Sequence, residues 1–134
     1  MDRFLQSISD KRRFVMTKVF SNKAPSAIGP YSQAMKSNGF VFTSGQLPNS
    51  LDADIKVQVR EVLDNVGYVL TAAGCGFENV IKTTCFLADI ADFAVFNEIY
   101  AEVFGEHKPA RSCFQVAALP KGAKVEMEVI AEVE

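Results

Sequence analysis

The sequence predicts a two-layer α+β sandwich: a mixed sheet with two helices on one face and another copy of the chain packed on the other. Three observations lead there. Two long segments repeat apolar residues at helical spacing, each followed by glycines able to end a helix. β-Branched and alternating runs stand before, between and after them, giving the order β–β–β–α–β–α–β–β. The strands are apolar on both parities (Phe40 and Phe42 against Val41; Phe114 and Val116 against Cys113 and Ala117), so the face away from the helices also needs cover.

The elements follow in order. "APSAIGPY" (24–31) carries two prolines and a glycine and reads as a defined loop. Asn38-Gly39 is a favoured two-residue turn, which makes 32–37 and 40–44 the arms of a hairpin. Ile55, Val59, Val62, Val66, Val69 and Ala73 trace one helical stripe, widened by Leu63 and Leu70. Asp52 or Asp54 can cap that helix, and Gly74 or Gly76 can end it. "VIKTTCFLADI" reads as a central strand. Phe93, Phe96, Tyr100, Val103 and Phe104 define a second helix, capped by Asp89 or Asp92 and stopped by Gly105. Strands over 112–118 and 124–133 close the chain. In the last, Val125, Met127, Val129, Ala131 and Val133 alternate with Glu126, Glu128, Ile130 and Glu132, so one face is core and the other acidic.

The 134 residues suit one domain, with 49% hydrophobic and 22% charged side chains. Residues 1–23 carry six basic and two acidic groups, net +4; residues 24–134 carry eight and fourteen, net −6. An acidic body argues against nucleic acid as partner. No apolar run is long enough for a bilayer, which argues against a membrane. Cys75, Cys85 and Cys113 fit no zinc spacing, and His107 is the only histidine, so no metal site is expected. Free thiols point to a reducing, cytoplasmic setting. Residues 1–16 read as an extension before a single domain over 17–134. Its basic and apolar residues leave mitochondrial targeting open, although Asp2 and Asp10 argue against it.

Arg111 raises the functional question. An arginine at the start of an apolar strand needs an anion. If the last two strands pair as a hairpin, Glu126 can be that anion; otherwise the guanidinium can clamp the carboxylate of a small ligand. A nearby glutamate of raised pKa would then serve as acid and base. Cys113 reads as a packed thiol, or as a nucleophile if His107 reaches it. Tyr31 offers a pocket hydroxyl or a core ring. Ser44-Gly45-Gln46 offers backbone N–H groups or only a turn. Asn97, among apolar helix positions, needs a partner and is either a structural bridge or a pocket group. Glu128 and Glu132 read as a solvated face.

Taken together, "APSAIGPYSQA", "FTSGQLP", "LDNVGYVLTAAG", "VIKTTCFLADIADFAVFNEIY" and "KPARSCFQVAALPKGAKVEMEVIA" resemble the Rid (YjgF) family over residues 17–134. The resemblance implies a chorismate-mutase-like fold, a homotrimer with clefts between subunits, and cofactor-free hydrolysis of 2-imino acids such as 2-iminobutanoate and 2-iminopropanoate to keto acids and ammonia. It implies that Arg111 binds the substrate carboxylate and that Glu126 holds or activates water. Cys113, Tyr31, Ser44, Gly45 and Asn97 match other pocket positions. The loop "NSLDADIKV" is shorter than the family's usual one, which puts substrate range in question. A non-catalytic trimeric metabolite-binding protein is the alternative; an RNA-cleaving translation inhibitor is a further one, disfavoured by the acidic body.

Overall fold

The computed structural model describes residues 16–134. The expected extension, apart from Met16, lies outside the described residues. Met16 itself opens the first strand, β1 (Met16–Val19). The hairpin follows as β2 (Ala34–Ser37) and β3 (Phe40–Thr43), shorter than expected at both outer ends. Asn38 and Gly39 both take positive φ, as the tight turn requires.

Helix α1 (Ile55–Ala73) starts at Asp54, whose carboxylate accepts from the Val57 N–H, and ends at Gly74 in the left-handed conformation. Its β-branched residues are poor helix formers, so burial must hold it. Val59, Val62, Leu63, Val66, Val69 and Leu70 are indeed almost wholly buried, each contributing roughly 1.5–3 kcal/mol. Strand β4 (Val80–Leu87) follows. Asp89 caps a short 3₁₀ turn that leads into helix α2 (Phe93–Phe104), where Asp92 stands first but makes no side-chain cap. Strands β5 (Ala110–Gln115) and β6 (Val125–Glu132) complete the chain.

One mixed sheet results, in the order β1-β2-β3-β6-β4-β5. All neighbours run antiparallel except β4 and β5, which run parallel. The last two strands are therefore no hairpin. β6 inserts between β3 and β4, while β5 lies at the edge beyond β4. The expected strand over 112–118 also begins earlier and ends at Gln115, because its limits are set by the parallel ladder from Lys82↔Ala110 to Leu87↔Gln115. Both helices contribute to one core with Val41, Cys85, Val125, Met127 and Val129 from the sheet. The residues of opposite parity, including Phe42, Phe86, Phe114 and Ile130, face away from that core, and Phe42 and Phe114 are nearly half exposed.

Candidate active site

A local irregularity makes the site. The β3–β6 ladder runs to Phe42↔Ile130 and resumes only as the bridge Gln46↔Met127. Four steps on one strand face three on the other, so β3 carries one extra residue, a bulge. The Thr43 hydroxyl fills the gap by accepting from the Val129 N–H at 3.0 Å. Ser44 is pinned by its N–H to the Gln33 carbonyl and by its hydroxyl to the Ser32 carbonyl at 2.6 Å. The bulge brings Gly45 against Glu126: a Cβ at Gly45 would lie 2.8 Å from the Glu126 Cδ. The glycine is needed there for space, not for an unusual φ.

Beside this contact opens a cleft of about 860 Å³, lined among others by Tyr31, Ser44, Gly45, Pro48, Lys121 and Glu126. Among the described residues, Glu126 is its one carboxylate. Burial, and after it the neighbouring charge of Glu128, raises the Glu126 pKa above the usual carboxylate value. Loop residues 47–54 form one wall and are held by buried amides of α1. The Gln58 amide donates to the Leu51 and Ala53 carbonyls and accepts from the Lys124 N–H; the Asn65 amide donates to the Leu47 carbonyl and to the Asn49 side chain.

Arg111 lies elsewhere. In register, Cys113 faces Cys85 and Met127, whose side chains are in the core under the helices, whereas Phe114 faces Phe86 and Glu126 on the opposite side. Arg111 shares the parity of Cys113, so Arg111 and Glu126 stand on opposite faces of the sheet. An ion pair between them within one chain is excluded. Instead Arg111 Nη1 donates to Asn97 Oδ1 at 2.7 Å, and its guanidinium carbon lies 4.8 Å from the Tyr100 ring centre and 5.5 Å from that of Phe93.

The structure thus divides the expected site residues into two groups: Tyr31, Ser44, Gly45 and Glu126 at the cleft, and Asn97, Arg111 and Cys113 at the β5 edge. The nucleophile reading of Cys113 finds no base among the described residues. His107 binds the Val80 carbonyl at 2.7 Å, roughly 16 Å along β4 from Cys85 at about 3.3 Å per residue. Burial pushes the Cys113 thiol up, only partly offset by Arg111, and pushes Cys85 up to about 12. Both thiols are protonated near neutral pH. No cluster of three or more metal-ligating side chains occurs among the described residues, and no described helix is long and apolar enough to cross a membrane. The sequence reading missed Lys121 and the roles of Phe93 and Tyr100. For the two rings the signal was present: 93, 97 and 100 fall on one helix face.

Known proteins share this fold. A profile of the family described as endoribonuclease L-PSP matches residues 21–133. The chain belongs to this family, also called Rid or YjgF. It is 48% identical over 115 residues to the 2-iminobutanoate/2-iminopropanoate deaminase of Homo sapiens, covering 81% of this chain and 84% of that protein. It is 50% identical over 119 residues to the chloroplastic Reactive Intermediate Deaminase A of Arabidopsis thaliana, covering 84% and 64%. Among solved structures it is similar to E. coli TdcF with bound serine, at 43% identity and a TM-score of 0.84, covering 88% of this chain and 99% of that one.

Proposed function

We propose that this protein is a 2-imino acid deaminase, acting on 2-iminobutanoate and 2-iminopropanoate, and that its active site is completed between copies of the chain. The observation that carries the second part is the division of the site: one chain holds a carboxylate cleft and, on the other side of its sheet, a guanidinium with donors to spare. A cyclic assembly joins unlike patches of successive copies, so it can bring Arg111 of one copy to Glu126 of the next. The open sheet face, with Phe42, Phe86, Phe114 and Ile130, supplies apolar surface for that contact, and a homotrimer is the assembly we infer. The activity rests on the identity to the named deaminases together with a cleft glutamate of raised pKa.

The chemistry then follows. Arg111 fixes the substrate carboxylate with two parallel N–H donors. The substrate reacts as the protonated imine, and the carboxylate of Glu126 takes a proton from a water as the water's oxygen adds to the imine carbon. The resulting carbinolamine receives that proton on nitrogen, the C–N bond breaks, and the hydroxyl passes its proton to the Glu126 carboxylate as its oxygen becomes the keto oxygen and ammonia leaves. The reaction consumes one water and needs no oxidant. A neutral Cys113 beside Arg111 lines the site without attacking.

The test is keto-acid release from imine generated in situ by a threonine dehydratase, with semicarbazide competing for the imine. Wild type should accelerate release, and Arg111→Ala and Glu126→Gln should abolish the acceleration. A folded, assembled wild-type protein that gave none would leave the metabolite-binding reading in its place.

A further inference from the structure

The geometry points to Phe93 and Tyr100 as positioning residues that hold the Arg111 guanidinium ready for a substrate carboxylate. This inference rests on the reading of Arg111 as the carboxylate clamp. A free arginine side chain carries rotamer entropy, which a clamp must lose on binding unless the protein has already removed it. Arg111 stands on an edge strand, is largely exposed, and has no carboxylate partner among the described residues. Its order must come from somewhere else.

Helix α2 supplies it. Phe93, Asn97 and Tyr100 are spaced four and three apart and therefore share one helix face. Two rings lie near the guanidinium carbon at 4.8 and 5.5 Å, within cation–π range, and Asn97 Oδ1 accepts from Nη1 at 2.7 Å. The Tyr100 ring is itself fixed. Its hydroxyl hydrogen-bonds the buried Thr83 hydroxyl at 2.9 Å, and Thr83 is the register partner of Arg111 on β4. The contacts close a loop: Arg111 beside Thr83 across the strands, Thr83 to Tyr100, Tyr100 over Arg111. Asn97 occupies one of the five guanidinium N–H donors, which leaves a pair of parallel donors for a carboxylate. The rings orient the plane; the amide sets its rotation.

Phe93 and Tyr100 touch no reacting atom on this reading, so their loss should weaken binding and spare the chemical step. Phe93→Leu keeps apolar volume and removes one ring. It should raise KM roughly three- to tenfold, by the scale of an exposed to partly desolvated cation–π contact, with kcat within about twofold. Phe93→Tyr restores a ring and should restore KM. Tyr100→Phe keeps its ring but frees it from Thr83, and should raise KM by a smaller factor, about two- to threefold. Binding of 2-ketobutanoate, followed by calorimetry, should weaken in parallel. A KM unchanged in Phe93→Leu and Tyr100→Phe, while Arg111→Ala still raises it, would overturn the inference and leave the clamp standing. An unchanged product affinity in Arg111→Ala would remove the clamp and this inference together. Equal loss of kcat in Phe93→Leu and Phe93→Tyr would also overturn it, since that pattern marks a packing defect and not a lost ring face.

Discussion

At Gly45 the difference between a glycine and an alanine is one methyl group aimed at a carboxylate. The Glu126 side chain is flexible and would give way, so Gly45→Ala should fold with stability within about 1 kcal/mol of wild type while displacing the carboxylate. A displacement near 1 Å is enough to lose roughly a hundredfold in rate, so kcat/KM should fall by that order with the melting temperature held. Wild-type activity in Gly45→Ala would show that the carboxylate has no fixed place in the reaction. Charge gives a second test at the same residue. Burial and then Glu128 raise the Glu126 pKa, so a base at this position loses activity, as pH falls, earlier than an ordinary glutamate would. Glu128→Gln removes the like charge and should move the acid limb of kcat/KM to lower pH. An unmoved limb would take Glu126 out of the base role. Stability runs the other way. A carboxyl whose pKa is raised on folding stabilises the fold below its unfolded pKa, and that contribution is lost as pH rises through the folded value. Glu126→Gln should therefore be no less stable than wild type at neutral pH, though inactive.

Among the elements, the two helices were legible because their signal is local: an apolar stripe of period 3.6 and a glycine at the end. The hairpin was legible from Asn38-Gly39 for the same reason. The insertion of β6 between β3 and β4 was not, since pairing between distant strands leaves no mark in either strand's own pattern. The pairing of β5 with β6, one of two readings the sequence left open, is not found, and with it goes the Arg111–Glu126 ion pair. Gln58 was passed over although it stands three residues after Ile55 and four before Val62, on the apolar stripe itself. A polar side chain there signals a buried amide with an obligation, here to the Leu51 and Ala53 carbonyls and the Lys124 N–H. Gln58→Met keeps the volume and strands three backbone groups. It should cost about 2–4 kcal/mol in denaturant unfolding; a loss below 1 kcal/mol would mean that water replaces the amide.

For the whole molecule, the candidate site was legible as a set of residue types but not as an arrangement. Arg111, Glu126, Tyr31, Ser44, Gly45, Asn97 and Cys113 were all named from sequence, yet which of them share a face depends on the strand order. Their division makes a sharp prediction for the assembly. If each site takes Arg111 from one copy and Glu126 from the next, Arg111→Ala and Glu126→Gln chains, each inactive alone, should recover activity when unfolded and refolded together. In an equal random mixture about one site in four unites an intact arginine with an intact glutamate, so close to a quarter of wild-type activity should return. No recovery in mixed oligomers, verified by mass, would overturn the site shared between copies.

The extra residue in β3 has a consequence for how this protein can change over time. An unbroken ladder from Phe42 to Gln46 would bond more backbone and would change the close approach of Gly45 to Glu126. Selection for thermal robustness alone would favour losing that residue, and the variant that lost it would be a sturdier sheet with nothing to hold. The persistence of the irregularity in a descendant is thus a record of continued use, readable from the number of residues between Phe42 and Gln46 before any assay is run.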